Sequence, residues 1–353
     1  MKIADPRSTG PHNWVIVGGK SDLRRKIVEA VRSSGGETAW VVSGTEKHAR
    51  HFADSNRILG ATAKLPEALS DPKVSAVYIA SHDSDHIKTA LVAAKSGKHV
   101  LCERLLARTR EVLEMIRTCE RHGVTFGVNH FLRASRLHRR MQEMIAQGVI
   151  GDVRSILIVH VNALPDNFRL DTAHGRAISD LAVQDIDLAR FLLKQEPLTV
   201  VGVGSACAGS ASLLQDQAMY SIVMSGGAFL QVHESFASPF VQSQVFVLGS
   251  LGYLHARGTL NQHPSGSLTC VTTGEVKTIP SEILDPDAEM IQSFLGAIGS
   301  NSRPLATGWD GLAAIMAAEA VAAAIASGRA VNVASGRDVC LAVPPENGRA
   351  VDR

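Results

Sequence analysis

The sequence predicts an α/β domain built on a doubly wound parallel sheet over residues 12–130, followed by an α+β domain with a mostly antiparallel sheet over residues 131–340. Short tails flank them at 1–11 and 341–353. Three observations lead there. In the first third, runs apolar on both faces alternate with helical patterns, as a parallel sheet covered on both sides requires. After Gly151, strand-like runs follow one another across turns with almost no helix between them. At 353 residues the chain also exceeds what a single core comfortably supports.

The elements follow in order. WVIVGG is a strand ending in glycines, and a helix is predicted from Asp22 to about Ser33. TAWVVSG is a second strand, followed by a helix-like segment through His51 and a short helix in KLPEALSD. VSAVYIAS is a third strand, HIKTALVAAKSG a helix closed by Gly97, KHVLCE a fourth strand, Thr109 to His122 a helix and VTFGVNH a fifth strand. DVRSILIVHVNAL, PLTVVGVG, MYSIVMS, AFLQVHES, SQVFVLGS and SLTCVTT then read as strands. The segment Gly175 to Leu193 reads as the helix that opens this half, and Asp310 to Gly328 as a closing helix expected to pack back on the first domain.

Composition removes several classes of function. A formal charge of +2 and 5% aromatic residues argue against nucleic acid and anionic membranes as partners. Five widely spaced cysteines, without a C-x-x-C or His/Cys cluster, suit free thiols and predict no structural metal. The polar leader MKIADPRSTGPHNW does not read as a signal peptide. The expected location is therefore the cytoplasm.

The candidate chemistry lies at strand ends. Gly18, Gly19 and Lys20 follow the first strand, where a dinucleotide fingerprint asks for G-x-G-x-x-G; only Gly18 is in register, with Lys20 and Leu23 at the other glycine positions. After the second strand, Ser43 stands where an acid would grip a ribose. NADP is therefore as open as NAD, with Lys47 or Arg50 as phosphate partners, although a plain solvated helix explains these residues equally well. Ser81, His86, Glu103 and Arg104 fall at the carboxyl edge of the inferred sheet, where ligands bind in this architecture. On the opening helix of the second half, Asp180, Gln184 and Asp187 form a polar row beside the apolar stripe.

SDPKVSAVYIASHDSDHIKTALVAAKSGKHVLCERLLA, HFLRASRLHRRMQEMIAQGVIGDVRSI, GRAISDLAVQDIDLARFLL and RPLATGWDGLAAIMAAEAVAAAIASGRAV, taken in this order, resemble segments of the Gfo/Idh/MocA family of oxidoreductases. The resemblance covers nearly the whole chain. It implies a Rossmann domain, an open antiparallel sheet for substrate binding and oligomerisation, an NAD or NADP cofactor, a sugar, cyclitol or related polyol as substrate, and homodimers or homotetramers built by packing the open sheets. The family's catalytic Lys falls on Arg104, its Pro on Leu105, its Asp on Asp180 and its His on Gln184. His86 and Asp187 match further motif positions, Asp187 in a structural role.

Arg104 and Gln184 donate hydrogen bonds but cannot act as general bases. The remaining candidates for proton transfer are Asp180 and the histidines His86, His130 and His174, the last in an AHGRA approach to the helix. This departure favours carbonyl reduction by an NAD(P)-dependent oxidoreductase. It leaves open cofactor-assisted elimination or hydrolysis on the same fold, and a catalytically silent ligand-binding protein.

Overall fold

The computed structural model describes residues 12–19, 21–80, 85–103, 105, 108–161, 177–205, 217–236, 241–261, 266–280 and 284–334, without the side chains of residues 21, 85 and 177–180. The first half runs β1 (Asn13–Val17), α1 (Ser21–Ser33), β2 (Glu37–Val42), α2 (Glu46–Asn56), β3 (Gly60–Thr62), α3 (Leu65–Leu69), β4 (Val74–Ile79), α4 (Asp85–Lys95), β5 (His99–Cys102), α5 (Thr109–Arg121) and β6 (Phe126–Val128). Its six strands are parallel in the order β3-β2-β1-β4-β5-β6. The order reverses between β1 and β4, and ligands bind beyond the carboxyl ends at such a point.

One strand more is present than the sequence predicts. β3 has only three residues, too few for periodicity to register, and its Gly60 is required because a Cβ there would enter the ring of Trp40.

The second half contains α6 (Phe131–Ala134), α7 (Arg136–Ala146), β7 (Val153–Val161), α8 (Ala177–Leu193), β8 (Pro197–Ser205), β9 (Gln217–Met224), β10 (Phe229–Ser235), β11 (Gln244–Gly249), β12 (Gly252–Arg257), β13 (Ser267–Thr272), β14 (Glu275–Ile279), α9 (Pro286–Ser300), α10 (Gly308–Ser327) and β15 (Val331–Asn332). Its nine strands lie in the order β14-β13-β12-β11-β7-β10-β9-β8-β15, antiparallel except for the β7–β10 pair. Inward positions such as Ile156, Ile158, Leu230, Val232 and Ile222 are buried against α8. The alternate positions face outward, and Val201, Val203, Met219 and Phe229 are exposed there.

The expectation of almost no further helix in this half is corrected by α9. Asp285 caps it by accepting from the Asp287 N–H, and Pro286 begins it, but Gly296 and Gly299 dilute its helical pattern. Through α9 the later chain completes the first core: Phe294 packs on Trp14 at 5.8 Å between ring centres, and both are fully buried. Truncating either is expected to cost about 3–5 kcal/mol.

α10 is apolar nearly all round because both halves enclose it. It packs on α8 and β8 and also on α5 and β6, with Gly311 against Leu105 and Val128. It is long and apolar enough to cross a membrane, yet most of it is buried inside the fold.

Candidate functional site

The carboxyl edge of the first sheet is shaped by the turn after β1. Gly18 and Gly19 adopt φ of 68° and 80°, and a Cβ on Gly19 would lie 2.8 Å from the Ala80 Cβ. The Gly18 N–H donates to Val42 O at 3.0 Å, which ties the turn to β2, and neither glycine places a side chain before α1. This cradle fits a dinucleotide pyrophosphate. Lys20 lies outside the described residues, while Leu23, in the first turn of α1, packs half-buried against the core.

At the end of β2, the described cation that contacts Ser43 is neither of those expected. Lys47 and Arg50 sit on the exposed face of α2, with Arg50 Nη1 directed at Leu59 O at 3.4 Å. Arg24 of α1 instead donates from Nη1 to Ser43 Oγ at 3.4 Å and lies 4.4 Å from the centre of the Phe52 ring. The signal was present in the sequence: Arg24 occupies the same stripe as Ile27, Val28 and Val31, where an apolar residue is the rule.

Ser81 and Arg104 lie outside the described residues, and His86 is buried at the start of α4. Glu103 points inward. It accepts hydrogen bonds from Tyr78 and from Asn129 Nδ2; the same amide donates to Asp287 Oδ1 at 2.8 Å, and Lys26 pairs with Asp287 Oδ2 at 2.6 Å. Burial and the neighbouring carboxylates Glu103 and Asp287 push the Tyr78 phenol far up. This buried chain joins β4, β5 and β6 to α1 and α9.

On α8, the backbone of Asp180 is helical while its side chain lies outside the described set, as does all of His174. Gln184 is buried one turn further on. Asp187 holds a salt-bridge network: Arg133 donates to its two oxygens from Nε at 2.8 Å and Nη2 at 2.7 Å, and Nη2 also reaches Asp310 Oδ1 at 3.0 Å. Arg190 closes the quartet at 3.6 Å from Asp187 and 3.5 Å from Asp310. Arg190 also donates to both oxygens of Glu196, at 2.7 and 2.8 Å, so two cations meet three carboxylates, and the Asp310 carboxyl is held far below its usual range by Arg133, Thr307 and Arg190 against the opposing effect of burial. His130 lies 3.7 Å from Asp187, and burial lowers its pKa.

A second buried cluster was not anticipated from sequence. His160 Nδ1 bonds Asp185 Oδ1 at 2.8 Å, and Tyr220 donates to Glu234 Oε1 at 2.6 Å. Asp185 Oδ2 and Glu234 Oε2 are both buried without a donor. A proton on Glu234, whose pKa is driven well up by burial and by Asp185, satisfies the pair. The strand period could have revealed it, since His160 and Glu234 fall at inward positions among Ile158 and Val232.

A doubly wound sheet with a glycine turn at its switch point, joined to a sheet domain whose first long helix carries a polar row, is an architecture on which nicotinamide-dependent oxidoreductases are built. Residues 12–130 match the model of the oxidoreductase family with an NAD-binding Rossmann fold, and residues 138–255 match the GFO/IDH/MocA C-terminal domain. The chain belongs to the Gfo/Idh/MocA family and is an NAD(P)-dependent oxidoreductase. It is 30% identical to 1,5-anhydro-D-fructose reductase of Ensifer adhaerens over 92% of this chain and 99% of that protein. It is 28% identical to inositol 2-dehydrogenase 2 of Saccharopolyspora erythraea over 81% and 87% of the two chains. The fold is shared with aldose-aldose oxidoreductase of Caulobacter crescentus, at a TM-score of 0.84 and 20% identity over 91% of this chain and 99% of that one.

Proposed function

We propose that the protein transfers hydride between a nicotinamide cofactor and a sugar, cyclitol or related polyol, with reduction of the carbonyl form as the favoured direction. The observation that carries this reading is likeness over nearly full length to a sugar reductase, in a chain whose Gly18–Gly19 turn keeps the cradle open. Gly18, Gly19, Lys20 and Ser81 would hold the phosphates, Ser43 the adenosine ribose, and His86 and Glu103 the floor of the cleft. The bound nicotinamide supplies or accepts the hydride. Arg104 and Gln184 hydrogen-bond the substrate oxygen and stabilise the charge that develops on it, which reduction needs more than a strong base. Asp180 moves the proton, with His174 as the second candidate.

The division at residues 130 and 131 into a cofactor domain and a substrate domain belongs to the same proposal, as does a cytoplasmic location. So does a homodimer or homotetramer closed over the open sheet, where Val203, Met219 and Phe229 are at least half exposed.

The test is a fluorescence titration with NADH and NADPH, followed by turnover on a panel of polyols and their ketones. Asp180→Asn is expected to abolish turnover while cofactor affinity stays within about twofold. An active Asp180→Asn enzyme removes that residue from proton transfer. Failure to bind either dinucleotide removes the reading as a whole.

A further inference from the structure

Arg24 is 6% exposed, yet among the described residues no carboxylate pairs with it, and its Nε is buried without a hydrogen-bond partner. A guanidinium taken this far out of water ordinarily has a countercharge, and here burial lowers its pKa with no opposing anion. It is held in place nonetheless: its Cζ lies over the Phe52 ring, 4.4 Å from the centre, and Nη1 reaches Ser43 Oγ at 3.4 Å.

Ser43 is the first residue beyond β2, the place from which a carboxylate would bind the ribose 2′-hydroxyl and repel a phosphate. The next acid in the chain, Glu46, is occupied elsewhere: its Oε1 accepts from Thr62 Oγ1 at 3.2 Å and from the Ala63 N–H at 2.9 Å. The end of β2 therefore presents a fixed cation and a hydroxyl, with the nearest following carboxylate engaged by Thr62 and Ala63 at the end of β3.

Resting on the dinucleotide reading above, we propose that Arg24 and Ser43 form the recognition site for the 2′-phosphate of the cofactor, so that this chain selects NADP(H) over NAD(H). The phosphate supplies the countercharge that the fold withholds from Arg24, accepting from its Nη edge and from the Ser43 hydroxyl. Because Phe52 holds the guanidinium in place before binding, little side-chain ordering is lost when the phosphate arrives.

Dinucleotide affinity of the full-length protein tests this without turnover. NADPH is expected to bind at least about tenfold tighter than NADH, and the fragment 2′,5′-ADP to compete far better than 5′-AMP. Arg24→Gln is expected to weaken NADPH binding by about tenfold or more and to leave NADH nearly unchanged, with no fall in the melting temperature of the cofactor-free protein because an uncompensated buried cation has been removed. Ser43→Asp, which leaves Arg24 in place, is expected to turn the preference toward NADH.

Equal affinity for the two cofactors in the native protein overturns the proposal. Equal losses for both in Arg24→Gln do so too, since they mark a structural arginine. Absence of binding by either dinucleotide is a different result, and it overturns the oxidoreductase reading on which the proposal stands.

Discussion

Arg133 shows how much of the molecule can hang on one side chain. It lies on α6, just beyond the last strand of the first sheet, and grips Asp187 on α8, Asp310 on α10 and the Leu305 carbonyl at 3.0 Å. The pair with Asp187 is bidentate and almost wholly dry, so each charge depends on the other. Asp187→Asn takes from Arg133 its bidentate partner and leaves it Asp310, while Arg190 keeps Glu196 and Asp310, and the expected loss is about 3–5 kcal/mol in chemical denaturation. A loss under about 1 kcal/mol would mean that the quartet is solvated and contributes little. The residue was legible in sequence as a structural aspartate. Its partner was not, because Arg133 is 54 positions away.

At the level of the element, α8 carries two polar faces that do different things. Gln184 belongs to the row that includes Asp180, while Asp185 turns toward the sheet and meets His160, Glu234 and Tyr220 from β7, β10 and β9. Glu234 keeps its proton in the fold at a pH where the unfolded chain has lost it. The stability from that bound proton is therefore complete below the ordinary carboxylate range and declines as the pH rises toward the raised folded value. Glu234→Gln is a neutral analogue of the protonated acid. Thermal melts at pH 5 and pH 8 are expected to show the variant losing less stability than the native protein across that interval, and parallel losses would show that Glu234 is ionised in the fold. From sequence, Asp185 looked like one more polar residue on a helix; only the pairing of β7 with β10, which sets Glu234 beside His160, makes it half of a carboxyl pair.

Across the whole molecule, two exchanges bind the halves together. α9 returns to finish the core behind β1, and α10 lies between α8 and α5. Among the described residues, no helix covers the outward face of the nine-stranded sheet in this way. Val203 is 68% exposed, and it pairs through Met219 and His233 with Val159 to make one continuous row across β8, β9, β10 and β7. If that face closes on a second copy, Met219→Glu is expected to shift the protein from dimer or tetramer to monomer in light scattering, with the melting temperature of the monomer little changed. An oligomer that survives the charge would place the contact elsewhere.

The sequence by itself determined the fold class, the family, the glycine turn and the loss of a titratable group at Arg104 and Gln184, because strand and helix periods and short motifs are local properties of the chain. It did not determine which charges meet. Arg24 with Ser43, Arg133 with Asp187 and Asp185 with Glu234 are separated by 19, 54 and 49 positions, and α9 joins a core laid down some 270 residues earlier. Such pairs exist only once sheet register and crossover order bring their elements together, and burial then decides which groups keep their protons and which need a partner.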